Sequence, residues 1–187
     1  MVMETMTEAI RLTLPDGSVR TVPSGTTPLD VAASIGPRLA KDAVGAELDG
    51  KKIDLRQPLR ADGAFRLLTV KSPEAGELIR HSAEHVLADA VKRLWPEVEI
   101  DVGRRDHSEK FQYDFDIPVR ITPDDLPKIE AEMTRIIGED EPFEREVVDR
   151  DTAERLFAEM GEDPKVSRID DNPADQPISL FRHGGFV

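Results

Sequence analysis

Residues 12–55 read LTLPDGSVRTVPSGTTPLDVAASIGPRLAKDAVGAELDGKKIDL, and the order of signals along them decides the fold of the first part of the chain. Ile10, Leu12 and Leu14 alternate at the two-residue period of a half-buried strand, Pro15-Asp16-Gly17-Ser18 has turn chemistry, and Val19 to Val22 returns. Thr27 then predicts a helix N-cap, with Pro28 at the first helical position, where its missing N–H has no partner to lose. Leu29, Ala32 and Ala33 repeat at helical spacing until Gly36-Pro37 stops them. Asp49-Gly50, flanked by Ala43–Leu48 and Lys51–Leu55, predicts a second hairpin, and Phe65–Val70 one more strand.

Hairpin, helix and further strands is the order of a β-grasp unit, with some other small α+β arrangement as the alternative. The pattern changes at Ser72. Ser72 as cap, Pro73 at the first position and Glu74 and Glu77 in the opening turns predict a long helix running to about Trp95. Ile100–Val102 and Phe111–Phe115 predict paired strands joined by the polar connector 104–110, and the alternation of Phe111, Tyr113 and Phe115 fits core packing. A second helix starts at Thr122-Pro123 and ends near Gly138, with Leu126, Ile129, Met133, Ile136 and Ile137 on one face. A third spans about Asp149 to Met160, before Gly161. Strands are expected at Phe143–Val148, Lys165–Ile169 and Ile178–Phe181.

Charge divides the chain at the same place. Of the net charge of -13, residues 1–71 carry +1 (10 Lys/Arg, 9 Asp/Glu) and residues 72–187 carry -14 (15 Lys/Arg, 29 Asp/Glu). The expected organisation is therefore a disordered N-terminus at 1–9, a β-grasp domain at 10–71 and a second domain at 72–187. Because nucleic-acid affinity rests on Lys and Arg neutralising phosphates, the acidic second part should hold RNA poorly except at a local contact. With 39% hydrophobic residues and no apolar run near the roughly 18 residues of a membrane span, a folded soluble protein is expected. The N-terminus lacks the basic and apolar segments of a secretory signal. The absence of cysteine excludes disulfides, thiolate nucleophiles and sulfur-ligated zinc within these residues and fits a cytoplasmic location.

The sharpest constellation is His81-Ser82-Ala83-Glu84-His85 on the long helix. A spacing of four puts both imidazoles on one helical face, one turn apart, where they can converge on a metal, a water or an ester. Two hydrogen-bonded or surface histidines would show the same spacing. The metalloprotease pattern needs Glu directly after the first His, and Ser82 stands there. His107 in the connector and His183 near the last residue read as solvated loop histidines, available to complete a site after folding. Lys165, after Asp163-Pro164, reads as a surface lysine or as a cation directed at a phosphate or carbonyl. The acidic run at 138–141 and the pair Asp170-Asp171 read as solvated loops.

Taken together these stretches resemble threonyl-tRNA synthetases. Residues 12–55 resemble the TGS domain, a β-grasp module. IRHSAEHVLADAVKRLWPEVEIDVG (79–103) is similar to the opening helix and strand of the family's editing domain, and FQYDFDIPVRITPDDLPKIEAEM (111–133), PFEREVV (142–148) and ISLFRHGGFV (178–187) continue it in order. The resemblance implies an α+β chain: a β-grasp domain, then an editing domain with a long helix packed on a mostly antiparallel sheet, stopping before the family's Cys-x-x-x-His pair. It also implies that His81 and His85 position the ester and water or assist proton transfer, and that Lys165 contacts the terminal adenosine or stabilises charge in the transition state.

The implied activity is hydrolysis of serine wrongly esterified to threonine tRNA, within a threonine-tRNA ligase, with at most weak hydrolysis expected of this stretch alone. The implied partners are the 3′ end of threonine tRNA and the remainder of the synthetase, with neither membrane nor DNA. No cofactor is implied for this stretch; ATP and zinc belong to the catalytic domain. The sequence departs from the family's pattern in the residues after Gly103, at Gln112, and at Glu84, where a small or hydroxyl residue is usual. The competing readings are a non-catalytic binding or regulatory module and a zinc-dependent trans-editing hydrolase of the alanyl-tRNA editing type.

Overall fold

The computed structural model describes residues 8–103, 106–170, 172–173 and 176–187, with the side chains of Val102 and Asp170 left aside. The chain divides into two compact units that part between Ile79 and Arg80, inside the long helix rather than at Ser72. Of the expected disordered stretch 1–9, residues 1–7 lie outside the described residues, and Ala9 is already the first residue of a strand.

The first unit is built on a five-stranded sheet in the order β2-β1-β5-β3-β4, with β1 Ala9–Thr13, β2 Val19–Pro23, β3 Ala43–Leu48, β4 Lys51–Ile53 and β5 Gly63–Thr69. β1 and β5 run parallel, and the other neighbours are antiparallel. The β3–β4 turn forms as read: Asp49 and Gly50 have φ of 50° and 78°, the left-handed pair that a two-residue hairpin demands. Helix α1, Pro28–Ile35, opens on a capping box in which Thr27 Oγ1 accepts from Asp30 N–H and Asp30 Oδ2 accepts from Thr27 N–H. Its Val31 joins Ile10, Leu12, Ala46, Leu59 and Phe65 in the buried core. Gly36-Pro37 ends α1 as expected, and the proline then starts a short second helix, α2 (Pro37–Asp42), because position N1 tolerates it. This is a β-grasp unit.

The long helix α3 spans Ala75–Leu94. Ser72 does not cap it: the Ser72 hydroxyl accepts from Thr69 N–H at 2.9 Å, and residues 72–74 form a turn before the helix begins. Beyond α3 come β6 Glu99–Gly103 and β7 Tyr113–Asp116, then α4 Leu126–Glu139, β8 Phe143–Val148, α5 Arg150–Glu159, α6 Asp163–Asp170 and β9 Ile178–His183. β6 pairs with β7, and β8 with β9, both antiparallel, as two separate two-stranded ribbons. Apolar residues of α3 enter two cores: Ala88 and Val91 pack with Val98, Ile100 and Ile129, while Val86 and Ala90 pack with Ile136.

One expected strand is a helix. Residues Lys165–Ile169 lie in α6, whose Val166 and Ile169, three apart, face Ala153, Phe157 and Leu180. Pro164 in its first turn and Asp163 at its N-terminus are ordinary helix-opening residues. Phe111 stands outside β7 and is 36% exposed, whereas Tyr113 and Phe115 stack at 5.5 Å and pack into the core as expected. The acidic run at 138–141 includes the end of α4 and its left-handed cap, Asp140 (φ 52°). Asp171 lies outside the described residues.

Candidate active site

Helix α3 brings the two expected histidines together. His81 Nε2 and His85 Nε2 are 3.2 Å apart, with ring centroids at 5.0 Å. Two imidazole nitrogens at that distance share one proton: one donates and the other accepts, so the pair presents a donor and an acceptor that a water or an ester oxygen can take up. His81 is exposed, and His85 is half-buried beneath Phe181 of β9 and Phe143 of β8, at 5.6 and 6.0 Å between ring centroids. Burial is the main reason the His85 pKa falls to about 4, with repulsion from His81, Lys165, His107 and His183 adding to it. His85 is therefore a neutral imidazole throughout the neutral range.

A cleft of about 540 Å³ opens beside His85. Its walls include Gly103 of β6, Tyr113 of β7, Phe157 of α5, Lys165 of α6 and Phe181 of β9. Mostly apolar walls with a few polar groups are what a small ligand requires. Lys165 reaches into it from α6, not from a strand: Nζ lies 5.0 Å from the centre of the Phe157 ring and 5.2 Å from that of Phe186, and donates to Val187 O at 2.7 Å. Burial lowers its pKa to about 8, against the pull of Glu162. Tyr113 moves the other way, up to about 12, through burial and then the nearby charges of Glu84, Glu162 and Asp101. On this cleft the sequence reading of His81, His85 and Lys165 converges: His85 and Lys165 line it, and His81 touches His85.

The other two histidines differ from expectation. His107 is no solvated loop residue: it is 6% exposed, its Nε2 meets Glu84 Oε2, and its ring stacks on that of His81 at 4.7 Å. His183 belongs to β9, is 4% exposed, stacks on Phe143 at 4.5 Å and has Nδ1 3.5 Å from Asp89 Oδ2. Glu84, the residue that departs from the family's pattern between the two histidines, is buried. The only sequence signal for it is its place three residues after His81 on one helix; its partner His107 lies 23 residues further on, and its approach to Gly103 is seen only in the fold. Among the described residues no group of three or more His, Asp or Glu side chains is arranged to hold a metal ion.

Comparison with known proteins gives this geometry a setting. The TGS domain family matches residues 10–69. Over 182 residues, 97% of the chain, it is 47% identical to a threonine-tRNA ligase of Symbiobacterium thermophilum. Relatives of the same name from Bacillus velezensis and Gluconobacter oxydans are 43% and 47% identical, over 97% and 94% of the chain. The chain spans about 28% of the length of these relatives. Residues 10–69 are a TGS domain, and the chain over nearly its whole length is homologous to a part of the threonine-tRNA ligases.

Proposed function

We propose that this chain supplies the proofreading step of a threonine-tRNA ligase in the cytoplasm, hydrolysing serine esterified in error to threonine tRNA, with that tRNA and the rest of the synthetase as its partners. The observation that carries the reading is the pairing of His81 with His85 at 3.2 Å, where His85 lines a cleft that also holds the Lys165 ammonium. A synthetase needs such a site because one missing methyl in a binding pocket yields only about 1 to 3 kcal/mol of discrimination. A second pocket must accept the smaller, wrong product and exclude the larger one.

The residues take different parts. With a pKa of about 4, His85 is a neutral imidazole at pH 7; when a bound water and the ester replace the bond between the two rings, His85 accepts from the attacking water and orients it, and the Nε2–H released on His81 donates to the ester. Lys165, mostly charged at pH 7, faces developing negative charge or a nucleotide phosphate from a partly desolvated position where its field is weakly screened.

The test is the release of amino acid from threonine tRNA charged with serine or with threonine, by this chain and by a longer version in which it is joined to the stretch that follows the matched region in the Symbiobacterium thermophilum relative. Serine is expected to be released at least about tenfold faster, the discrimination a methyl supplies. Equal release of both, or release of neither by the longer version, overturns the reading in favour of a binding module.

A further inference from the structure

We propose that Glu84 and His107 form a positioning pair that holds the His81 ring in place, an inference that rests on the proofreading role of His81 and His85. Glu84 is 3% exposed and His107 6%, so both polar side chains have left water, and they have done so in contact with each other through Oε2 and Nε2. Removing a carboxylate from water is offset only by strong, charge-assisted bonds of this kind. An ionised carboxylate can only accept, so the His107 proton belongs on Nε2. Glu84 thereby selects the tautomer of His107 and fixes the turn of its ring. His81 lies almost parallel on that ring, with 4.7 Å between centroids and 15° between planes, and its Nε2 meets that of His85.

The surroundings are shaped around this pair. A Cβ at Gly103 would stand 1.7 Å from Glu84 Oε1, so the carboxylate fills space that only a glycine leaves open on β6. Arg80 secures the connector that carries His107: its Nε donates to His107 O and its Nη2 to Ser108 O. Glu84 thus acts from α3, three residues after His81, through a histidine that comes from elsewhere in the chain. A buried pair serving the fold alone would have no reason to end in a ring stacked on His81.

The pair can be tested by histidine-labelled NMR, with the rings of the chain's four histidines assigned from single variants, and by single-turnover release of serine from mischarged threonine tRNA in the longer version described above. In Glu84→Ala, His107 is expected to lose its Nε2–H tautomer and the His81 ring signals to shift. Turnover falls on the order of ten- to hundredfold with the half-saturating tRNA concentration unchanged, as for a misplaced catalytic group. Glu84→Gln, whose amide oxygen still accepts from Nε2–H, restores most of both readouts. His107→Gln keeps a donor toward Glu84 but removes the stacked ring; it should fold and lose turnover as Glu84→Ala does, which keeps the test decisive if the alanine variant does not fold. Unmoved His81 signals in a folded Glu84→Ala or His107→Gln variant overturn the proposal, as does a folded His107→Gln that turns over like the parent while His81→Ala does not. Should His81→Ala and His85→Ala both turn over like the parent, the proofreading reading fails instead, and the ring signals alone decide the pair.

Discussion

Burial makes His85 unlike an ordinary histidine, and its consequence is measurable. Between about pH 4 and 6.5 an unfolded His85 takes up a proton that the folded residue refuses, so acid favours unfolding in that window and has no such effect above it. Each pH unit within the window is worth up to about 1.4 kcal/mol, less for a side chain that keeps some water. Urea unfolding should therefore show the parent losing about 1 to 2 kcal/mol more than His85→Asn between pH 7 and pH 5. Equal pH slopes in the two proteins would place His85 in an ordinary solvated state. A second residue-scale prediction concerns Gly103: alanine there drives the Glu84 carboxylate off His107 and leaves buried polar groups without their bond, a loss of about 1 to 3 kcal/mol in the same unfolding measurement. At this scale the His81–His85 pair was legible because four-residue spacing on a helix fixes it locally. The burial of His107 and His183 was not, since their partners Glu84 and Asp89 lie on α3, far away in sequence.

Among the elements, the turn between α5 and α6 carries a tie that holds the site's walls together. Glu162, 1% exposed, accepts from Lys92 Nζ of α3 at 2.7 Å and from Ile100 N–H of β6 at 3.0 Å. Three elements that flank the cleft thus converge on one carboxylate. Glu162→Ala leaves the Lys92 ammonium, 28% exposed, without its counter-charge and should cost about 3 kcal/mol, read as a lower denaturant midpoint; an unchanged midpoint would remove Glu162 from the framework. Most elements could be read in advance where a cap or turn residue coincided with a clear period, as at Thr27-Pro28; at Thr122-Pro123 the cap of Thr122 and Asp125 opens a 3-10 turn, Pro123–Asp125, and α4 itself begins only at Leu126. The exception at Lys165–Ile169 is instructive. Val166 and Ile169, three apart, share a face on a helix and would fall on opposite faces of a strand, so the spacing already favoured a helix; in a five-residue stretch that signal is short, and packing of both residues against α5 and β9 settles it. Ser72 misled for a related reason: its hydroxyl is satisfied backwards, by Thr69, before the helix begins.

For the whole molecule, the two compact units divide the labour suggested by charge, a nearly neutral β-grasp unit and a second unit rich in Asp and Glu. The described histidine site and its cleft lie wholly within the second unit. An acidic unit has little general attraction for phosphate backbones, so on the proposed proofreading reading any recognition of a charged tRNA depends on a few cleft residues and on parts beyond this unit. No helix of the described residues is long and apolar enough to cross a membrane. The most direct measurement is single-turnover hydrolysis of serine-charged threonine tRNA by the longer version of this chain, beside its His81→Ala and His85→Ala variants. The account predicts that either substitution slows serine release on the order of a hundredfold, the usual weight of a positioned proton-handling group, while the variants stay folded. Release at the parent's rate in both folded variants would contradict it.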